Sequence, residues 1–457
     1  MTDHREVLYT IDTKGKRKWV YAAWVKGKYG VQRAFAAYFL ILFYLSLPWI
    51  TINGKQAVLL QIAERKFTFF GTTFWATDTL LLALVLAFLG ICLFFFTAVI
   101  GRVWCGWACP ETVFLEFVFR PIERLIEGGP AQRLRLDQSP WTKEKILKKG
   151  LKHLFCAAMA WILASTALAY FYGRDPLFEM MVSPPWENWQ PFLMTLALMG
   201  VMAFQFGWFR EQFCTILCPY ARFQSVLMDH HSLGVGYDPV RGEPRGKASK
   251  KDVGDCVDCG LCVRVCPTGI DIRNGSQLEC IHCAACIDAC DSVMEKLGRP
   301  KGLIRYDTEA RLLSGEKNLK SVSVRTAIYG SILLAISIAI GYTLMTRNPS
   351  EVKITRGASD VPFTELPDGR ISNHVHVRIS NRGEESRLYS IKSDRDDLQL
   401  IFPAMPYPVP EDSLLTVPLF IQFSRGILDG GRAPIVLTVS DDAGYHEDIK
   451  MVLLGPG

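Results

Sequence analysis

Two cysteine runs decide the fold of the polar half of the chain: "CVDCGLCVRVCP" at residues 256–267 and "CIHCAACIDAC" at residues 280–290. Both runs have the spacing C-x2-C-x2-C-x3-C. A [4Fe–4S] cluster needs four thiolates, and a run of this kind supplies three of them. Two such runs with identical spacing indicate iron–sulfur clusters far more specifically than a pair of CxxC motifs would, and a pair of CxxC motifs is what a structural zinc site uses. The sequence therefore predicts a bacterial-type 2[4Fe–4S] ferredoxin domain.

The spacing also predicts which cysteines share a cluster, because the fourth cysteine of each run binds the cluster of the other run. The predicted ligands are Cys256, Cys259, Cys262 and Cys290 for one cluster, and Cys280, Cys283, Cys286 and Cys266 for the second. Pro267 follows the first run as this pattern expects, whereas Asp291 stands in place of the second proline. Two clusters this close together can relay single electrons.

The composition points to a membrane protein with buried metal. The chain has 457 residues, of which 49% are hydrophobic, so it is long enough for two or three domains. None of its fourteen cysteines lies beyond Cys290. Such clustering favours metal ligation in a reducing compartment over a disulfide framework. The net charge of +6 is modest, and we expect no nucleic-acid partner.

Five apolar stretches are long enough to cross a bilayer, which takes roughly 20 helical residues. They lie near 34–52, 78–100, 151–172, 190–209 and 324–345. The stretch "TLLLALVLAFLGICLFFFTAVIG" has no charged residue, whereas a soluble helix normally keeps one polar face. The first 33 residues are polar and basic, so we expect no cleavable signal peptide. We predict a five-helix transmembrane bundle with the lipid bilayer as its partner.

Lysine and arginine counts in the flanking segments predict the orientation, because these residues concentrate on the cytoplasmic side. Residues 1–33 hold eight and residues 101–152 hold ten, whereas residues 53–77 hold three and residues 173–189 hold one. We therefore expect a cytoplasmic N-terminus and a cytoplasmic ferredoxin domain in a bacterial inner membrane. Five crossings then place residues 346–457 in the periplasm.

The chain divides into seven predicted segments. They are a cytoplasmic N-terminal segment (1–33), helices one to four (34–233), a linker (234–251), the ferredoxin domain (252–300), a linker (301–323), helix five (324–345) and the periplasmic domain (346–457). The last segment contains short runs rich in β-branched and apolar residues, such as "HVHVRIS" and "PIVLTVS". These runs predict an all-β Ig-like sandwich. His374 and His376 share one strand face, for which an ordinary exposed surface is favoured over a copper site.

Two further motifs, "RVWCGWACP" at 102–110 and "REQFCTILCP" at 210–219, each follow a membrane helix. The residue before a proline avoids the α region, and proline suits the first turn of a helix. We therefore expect the membrane helix before Cys105 to end near Ala108 and Cys109 to lie at the N-terminus of the next helix. There, the helix dipole and Arg102 would favour a thiolate. The same reasoning applies to Cys218.

These motifs form an internal repeat, in which two helical hairpins each end in a thiol pair. Packing of the hairpins about a pseudo-twofold axis would bring together four sulfurs, which we call the four-thiol site: Cys105, Cys109, Cys214 and Cys218. Thiolates select Cu(I), zinc or iron–sulfur clusters. The spacing of the four cysteines does not decide whether they bind copper, bind a third [4Fe–4S] cluster or remain unliganded. Cys92 and Cys156 lie within membrane helices, where apolar packing is the favoured role.

With these residues in hand, the whole chain resembles the FixG/CcoG/RdxA family of membrane polyferredoxins, described as cytochrome c oxidase accessory proteins. The resemblance rests on the five helices, the two CxxxCP motifs, the paired ferredoxin runs and the Ig-like tail. It implies a role in assembling the copper centre of cbb3-type oxidase, with reduction of Cu(II) to Cu(I) as the activity. The four-thiol site would then be the catalytic site that handles copper, fed by the eight ferredoxin cysteines. The implied partners are oxidase assembly factors or a copper transporter or chaperone.

Two other functions compete with this one. A quinol-linked electron-transfer subunit would need no copper, although only His153 lies near a membrane segment, which counts against haem. A non-catalytic assembly scaffold would use the Ig-like domain for docking. The sequence does not identify the electron donor, because it has no GxGxxG fingerprint of a dinucleotide-binding site. The oligomeric state, including a homodimer, also stays open.

Overall fold

The structure is a computed structural model. It describes residues 10–11, 14, 16–75, 79–228, 230, 232–247, 253–314, 324–346, 348, 350–356, 362–383 and 385–456. The chain divides into two compact units, Met1–Ile340 and Gly341–Gly457. The first unit contains four long apolar helices, most of a fifth and the ferredoxin region, and the second contains the β-rich region.

Within the described ranges, five helices are long and apolar enough to cross a membrane. They span Lys28–Trp49, Thr79–Ile100, Lys143–Tyr172, Trp189–Phe209 and Val324–Met345. Their number and positions agree with the sequence prediction, and their length and composition indicate a membrane protein. The third begins at Lys143 rather than at 151 because Thr142 caps it, accepting a hydrogen bond from the Lys145 backbone N–H. The first also begins earlier than predicted, within the segment assigned to the N-terminus.

Shorter helices connect and flank these long ones. The helices are α1 (Lys28–Ser46), α2 (Thr79–Ile100), α3 (Val103–Trp107), α4 (Pro110–Phe114), α5 (Arg120–Glu127), α6 (Pro130–Gln138), α7 (Lys143–Tyr172), α8 (Arg174–Val182), α9 (Trp189–Phe204), α10 (Pro219–Leu227), α11 (Pro239–Gly242), α12 (Leu261–Arg264), α13 (Ala285–Lys296), α14 (Glu309–Ser314) and α15 (Val324–Met345). Three π-helical turns interrupt the helices around the thiol pairs, at Leu115–Phe119, Gln205–Phe209 and Phe213–Leu217. Such turns occur frequently at functional sites.

A small β structure occupies the segment between α1 and α2, for which no strands were predicted from the sequence. Its strands are β1 (Thr51–Ile52), β2 (Lys55–Gln56), β3 (Val58–Gln61), β4 (Lys66–Phe69) and β5 (Thr72–Trp75). The last three form an antiparallel sheet, and β3 packs against α7. Gln56 anchors the segment by donating a hydrogen bond to the Ala169 carbonyl at 3.0 Å. Strands of two to four residues are too short to give a clear alternation in sequence.

The ferredoxin region is larger than predicted. Strand β6 (Leu233–Tyr237) pairs antiparallel with β7 (Ile304–Thr308), with Val235 opposite Tyr306. These strands lie in the two segments that the sequence analysis assigned as linkers, so both assignments were wrong at these positions. The Gly-rich strand "LGVGY" lacks a periodic apolar signal, and its partner lies about 70 residues away in sequence. The paired strands close the domain around the cysteine loops.

The C-terminal unit is an antiparallel β-sandwich. Its strands are β8 (Ser350–Arg356), β9 (Thr364–Glu365), β10 (Ile371–Asn381), β11 (Arg387–Ser393), β12 (Gln399–Ile401), β13 (Tyr407–Val409), β14 (Ser413–Phe423), β15 (Arg432–Asp441) and β16 (His446–Leu454). One sheet has the order β12-β14-β10-β8, with β9 also on β10, and the other has the order β13-β11-β15-β16. Alternate residues such as Val377, Leu419 and Leu437 fill the core. This architecture agrees with the predicted Ig-like domain.

Candidate iron–sulfur and thiol centres

The eight predicted cluster cysteines line two adjacent cavities in the ferredoxin domain. The first cavity is lined by Cys256, Cys259, Cys262 and Cys290. The second is lined by Cys266, Cys280, Cys283 and Cys286, and Cys262 borders it as well. The last cysteine of each run thus lies with three cysteines of the other run. This arrangement fits two cubane clusters with the crossed ligand pattern, which remains a prediction.

The two cysteine runs have the same local backbone. Asp258 and His282 occupy the same position in the two runs and have φ of 52° in both cases. Gly260 and Ala284 are also equivalent and have φ of 63°. Residues in this left-handed region reverse the chain tightly. The matched reversals turn successive thiols of each run toward its cavity.

Burial favours the protonated form of several of these thiols in the absence of metal. The pKa of Cys262 is raised to about 11 and the pKa of Cys290 to about 12, mainly by burial, with smaller contributions from neighbouring thiols. Cys280 is also buried, with a pKa of about 12. Metal ligation requires thiolates, so cluster insertion must release these protons. The donor set of four soft thiols around each cavity fits an iron–sulfur cluster.

The CxxxCP motifs break the helices where the sequence analysis placed the break. Cys109 has extended backbone angles, with φ −61° and ψ 127°, and Pro110 begins α4. Cys218 has φ −66° and ψ 111°, and Pro219 begins α10. The membrane helix α2 itself ends earlier than predicted, at Ile100, because the chain turns at Gly101 with φ 57°. A separate short helix, α3, then carries Cys105.

The four thiols of the two motifs are electrostatic neighbours. Burial raises the pKa of Cys214 well above its ordinary value. Smaller contributions in the same direction come from Glu111, Cys109, Cys105 and Cys218. The predicted packing of the two halves therefore brings the four cysteines together. In the described ranges, however, no three His, Cys, Asp or Glu side chains are placed to hold one metal ion. The sulfurs are neighbours without the predicted convergence on one point.

The expectation that Cys109 favours a thiolate was wrong for the metal-free chain. Burial raises its pKa to about 11, and the nearby Cys105 adds to this effect. The backbone N–H groups of Glu111 and Thr112 lower the pKa, as expected at a helix N-terminus, but by less. For Cys105, burial likewise outweighs the effect of Arg102, so its pKa is also raised. At both thiols, the free-energy cost of desolvating a thiolate exceeds the stabilisation that the helix N-terminus gives to Cys109 and that Arg102 gives to Cys105.

The four-thiol site packs directly against the second ferredoxin cavity. Cys105, Ile281 and Cys283 form one buried apolar group, with Tyr220 beside it. Gly106 lies against the cysteine loop: a Cβ on Gly106 would be 2.5 Å from the Ile281 carbonyl oxygen and 2.8 Å from the Cys283 Cα. Only glycine fits this approach. Gly106 has no local signal in the sequence, because its partner lies more than 170 residues away.

His282 fixes this contact from the other side. The Arg102 backbone N–H donates a hydrogen bond to His282 Nδ1 at 3.2 Å, and the Tyr306 hydroxyl donates to the His282 carbonyl at 2.5 Å. Burial lowers the pKa of His282 to about 3, and Arg102 contributes to this shift. The imidazole is therefore neutral and accepts at Nδ1, which leaves its proton on Nε2.

A buried ionic network joins the two halves of the repeat to the ferredoxin domain. Arg210, 2% exposed, donates to Glu123 at 3.0 Å. Arg120 donates to Glu211 at 3.3 Å and to the Pro267 carbonyl at 3.1 Å. The sequence gives no signal for this network, since charged residues near a membrane segment usually face water. Here opposite charges compensate one another in the interior.

The remaining candidate residues have ordinary packing. Cys156 is buried among apolar side chains that include Leu163 and Phe206, and Cys92 is half-buried in α2. His374 stacks on Phe420, with ring centroids 4.5 Å apart, and lies 4.7 Å from His376. The packing roles expected for the two cysteines and the ordinary strand face expected for the two histidines stay predictions.

Comparison with known proteins decides the family. A model described as 4Fe-4S dicluster domain matches residues 209–309, and one described as IG-like fold at C-terminal of FixG matches residues 340–456. A 4Fe-4S binding domain model matches residues 80–127. The nitrogen fixation protein FixG of Rhizobium meliloti is 40% identical, over 77% of this chain and 74% of its own. The chain belongs to the FixG/RdxA family.

Other members of the FixG/RdxA family match over similar or greater lengths. Protein RdxA of Cereibacter sphaeroides is 36% identical over 77% of each chain. Protein RdxB of the same organism is 35% identical over 95% of this chain and 96% of its own. A crystal structure of a FixG-related protein from Vibrio parahaemolyticus covers 24% of this chain and 97% of that chain, at 12% identity and a TM-score of 0.21. The family and its iron–sulfur domains indicate an iron–sulfur electron-transfer oxidoreductase.

Proposed function

We propose that this protein reduces Cu(II) to Cu(I) at the four-thiol site and so serves assembly of the copper centre of a cbb3-type cytochrome c oxidase. The observation that carries the proposal is the buried contact of Cys105 with Cys283. It joins the four-thiol site to the cavity of a predicted cluster ligand without intervening solvent.

The donor atoms suit this reaction. Cu(II) prefers nitrogen and oxygen ligands, whereas Cu(I) prefers sulfur. One electron delivered at the four-thiol site converts one bound Cu(II) to one Cu(I), which the sulfurs then hold. The two [4Fe–4S] clusters, when bound, supply the one-electron carriers.

The chain's own residues organise the transfer. The eight ferredoxin cysteines would hold the clusters, and Gly106 allows the second cysteine loop to approach the thiols closely. The Cys105 thiol donates a hydrogen bond to Gln224 Oε1 at 3.2 Å, which links the two halves of the repeat. Burial of Cys105 and Cys283 keeps water out of the contact.

The cellular setting follows from the charge distribution. We place the N-terminus and the ferredoxin domain in the cytoplasm, and the Ig-like domain in the periplasm of a bacterium, on the basis of the lysine and arginine counts. Cu(I) would leave the four-thiol site for a copper transporter or chaperone. The Ig-like domain would face oxidase assembly factors on the periplasmic side.

The test uses the full-length protein, purified without oxygen, reduced with dithionite and freed from excess reductant. Addition of Cu(II) with a Cu(I)-specific chelator should give about two Cu(I) per chain, one for each reduced cluster. Cluster absorbance should return to its oxidised form at the same rate. Cys105→Ser and Cys109→Ser should slow this step, and Cys156→Ser should not. Equal rates in all four proteins would mean that copper is reduced elsewhere.

A second candidate function is supported by the 4Fe-4S binding domain match over residues 80–127, which includes Cys105 and Cys109. The four thiols would then hold a third cluster, and the chain would relay electrons to an acceptor other than copper. Iron and acid-labile sulfide analysis separates the two candidates. About eight irons per chain support the copper site, and about twelve support a third cluster.

A further inference from the structure

Four arginine side chains line one small cavity beside the ferredoxin domain, which we call the arginine cavity. They are Arg33, Arg120, Arg124 and Arg133, and among the described residues a single carboxylate, that of Glu116, lines it with them. The cavity has a volume of about 40 Å³, whereas one water needs roughly 10–15 Å³. The space therefore suits the few oxygen atoms of one small anion.

The positive charge of this lining is only partly compensated. Arg120 and Arg133 each form ion pairs with neighbouring glutamates. Within the described ranges, Arg33 and Arg124 form no ion pair. The guanidinium of Arg124 instead lies over the Trp24 ring, 4.5 Å from its centroid. Two positive charges are thus left without a carboxylate partner among the described residues.

Two buried nitrogen atoms of the same arginines also lack acceptors. Arg33 is 6% exposed and Arg120 is 5% exposed, yet Arg33 Nη2 and Arg120 Nε have no hydrogen-bond partner in the described chain. Buried donors without acceptors are costly and uncommon. An anion in the cavity would bring acceptor oxygens beside these side chains, and the planar fork of arginine matches the geometry of a phosphate group.

The position of the cavity along α1 is the level expected for phospholipid headgroups. Gly30 and Arg33 line the cavity from the first two turns of α1, one of the helices long and apolar enough to cross a membrane. The ends of such a helix lie near the headgroup layer. Exposed apolar side chains surround the lining, since Trp24 is half-exposed and Leu125, next to Arg124, is 87% exposed. Basic pockets in this position suit anionic lipid headgroups.

We infer that the arginine cavity binds one phosphate group. The headgroup of an anionic phospholipid and free phosphate share this chemistry, and the position of the cavity beside the first turns of α1 favours the headgroup. Binding makes and breaks no covalent bond. The inference goes beyond the proposed function and does not depend on copper reduction.

Arg33 connects the arginine cavity to the first thiol motif. Its Nε donates a hydrogen bond to the Gly106 carbonyl at 2.9 Å, and Gly106 contacts the loop of Cys283. A phosphate bound beside Arg33 would hold the guanidinium that in turn holds Gly106. The lipid composition of the membrane would thereby act on the contact between the thiol motif and the second ferredoxin run.

The experiment titrates phosphatidylglycerol, phosphatidylcholine or inorganic phosphate into the full-length protein with its clusters bound, after removal of lipid in detergent. Native mass spectrometry counts the molecules bound to each chain. Arg124→Gln is compared with Arg135→Gln, which removes the same charge from an exposed position of α6 outside the cavity. Equal iron content shows that both variants fold.

We expect the parent protein to bind one phosphatidylglycerol tightly and to prefer it to phosphatidylcholine. Arg124→Gln should weaken this binding about 10–100-fold, as expected for loss of one charge-assisted hydrogen bond. Arg135→Gln should bind the lipid as the parent protein does. Inorganic phosphate should compete with the lipid only if the cavity also accepts the free ion.

The outcomes separate the two sources of phosphate and test the site itself. Lipid binding that depends on Arg124 and resists inorganic phosphate assigns a headgroup, and competition by inorganic phosphate assigns a site for the free ion as well. Equal lipid affinity in the parent and both variants would overturn the inference, as would equal affinity for the two lipids. Should Arg124→Gln lose its iron, the parent protein decides: saturation at one phosphatidylglycerol supports the site, and absence of saturable binding overturns it.

Discussion

Gly106 and Cys283 lie closer together than any other residue type at position 106 would allow, since an added Cβ would be 2.9 Å from the Cys283 backbone nitrogen. One residue belongs to the first thiol motif and the other to the second ferredoxin run. The approach therefore brings Cys105, on the short helix that follows a membrane helix, and the predicted cluster ligand Cys283 into one buried group.

Gly106→Ala should disturb this approach while leaving every thiol in place. Overpacking of a tight contact costs about 1–3 kcal/mol, and we expect the cysteine loop to move away from Cys105. Electron transfer to copper should slow, although iron content stays normal. Gly150→Ala is the matched control, because a Cβ at Gly150 meets nothing within 4 Å. Stopped-flow recovery of cluster absorbance measures the effect, and identical rates in the two variants would contradict it.

The crossed ligand pattern can be tested by removing the last cysteine of one run. Cys290→Ser should damage the cluster of Cys256, Cys259 and Cys262, because Cys290 lines that cavity. The second cluster should keep its EPR signal, and iron should fall from about eight toward about four per chain. Cys92→Ser, within α2, serves as the control and should retain all iron. Loss of the cluster in the cavity of Cys283 instead would show that each run holds its own cluster.

The buried ionic network should be sensitive to loss of one partner. Arg210→Met leaves Glu123 and Glu211 without one of their compensating charges in the interior. Breaking a buried pair in this way costs about 3–5 kcal/mol. The midpoint of thermal unfolding in detergent should fall clearly. Arg395→Met removes an exposed pair with Asp397 and should leave the midpoint unchanged; equal effects would mean that the interior network adds no stability.

The Ig-like domain should lose stability in acid through Asp441. Burial raises its pKa, but hydrogen bonds from Tyr445 and Ala443 backbone N–H groups and from Arg387 outweigh this and leave the pKa below its ordinary value. A carboxyl with a lowered folded-state pKa stabilises the fold above the unfolded value of about 3.9, and this stability is lost as pH falls through the folded value. Asp441→Asn should therefore be destabilised at neutral pH and approach the parent protein in acid.

Hydrogen exchange of β11 and β15 in the full-length protein measures this effect, with each variant compared at the same pH. Asp368→Asn is the control, because its side chain is about half exposed and lies outside both strands. A difference between Asp441→Asn and the parent that stays constant from neutral pH to acid would contradict the assigned role of the ionised carboxyl.

The features of this molecule that could be predicted from sequence are those set by residues close together in the chain. Pro110 and Pro219 fix the backbone of Cys109 and Cys218, and the cysteine spacing groups the ferredoxin thiols, so both were predictable. The apolar composition of α2 and α15 was likewise sufficient for two membrane helices.

Long-range contacts were not predictable in this way. The β6–β7 pairing, the approach of Gly106 to Cys283 and the Arg120–Pro267 hydrogen bond each join residues far apart in sequence. The ionisation of Cys109 was misjudged for the same reason, because its burial depends on the packing of distant segments.

The contact between Gly106 and the Cys283 loop is made by main-chain atoms. The separation between the first thiol motif and the second ferredoxin run is therefore set by the backbone and does not change when neighbouring side chains change rotamer. An electron that crosses here would tunnel over a gap of constant width.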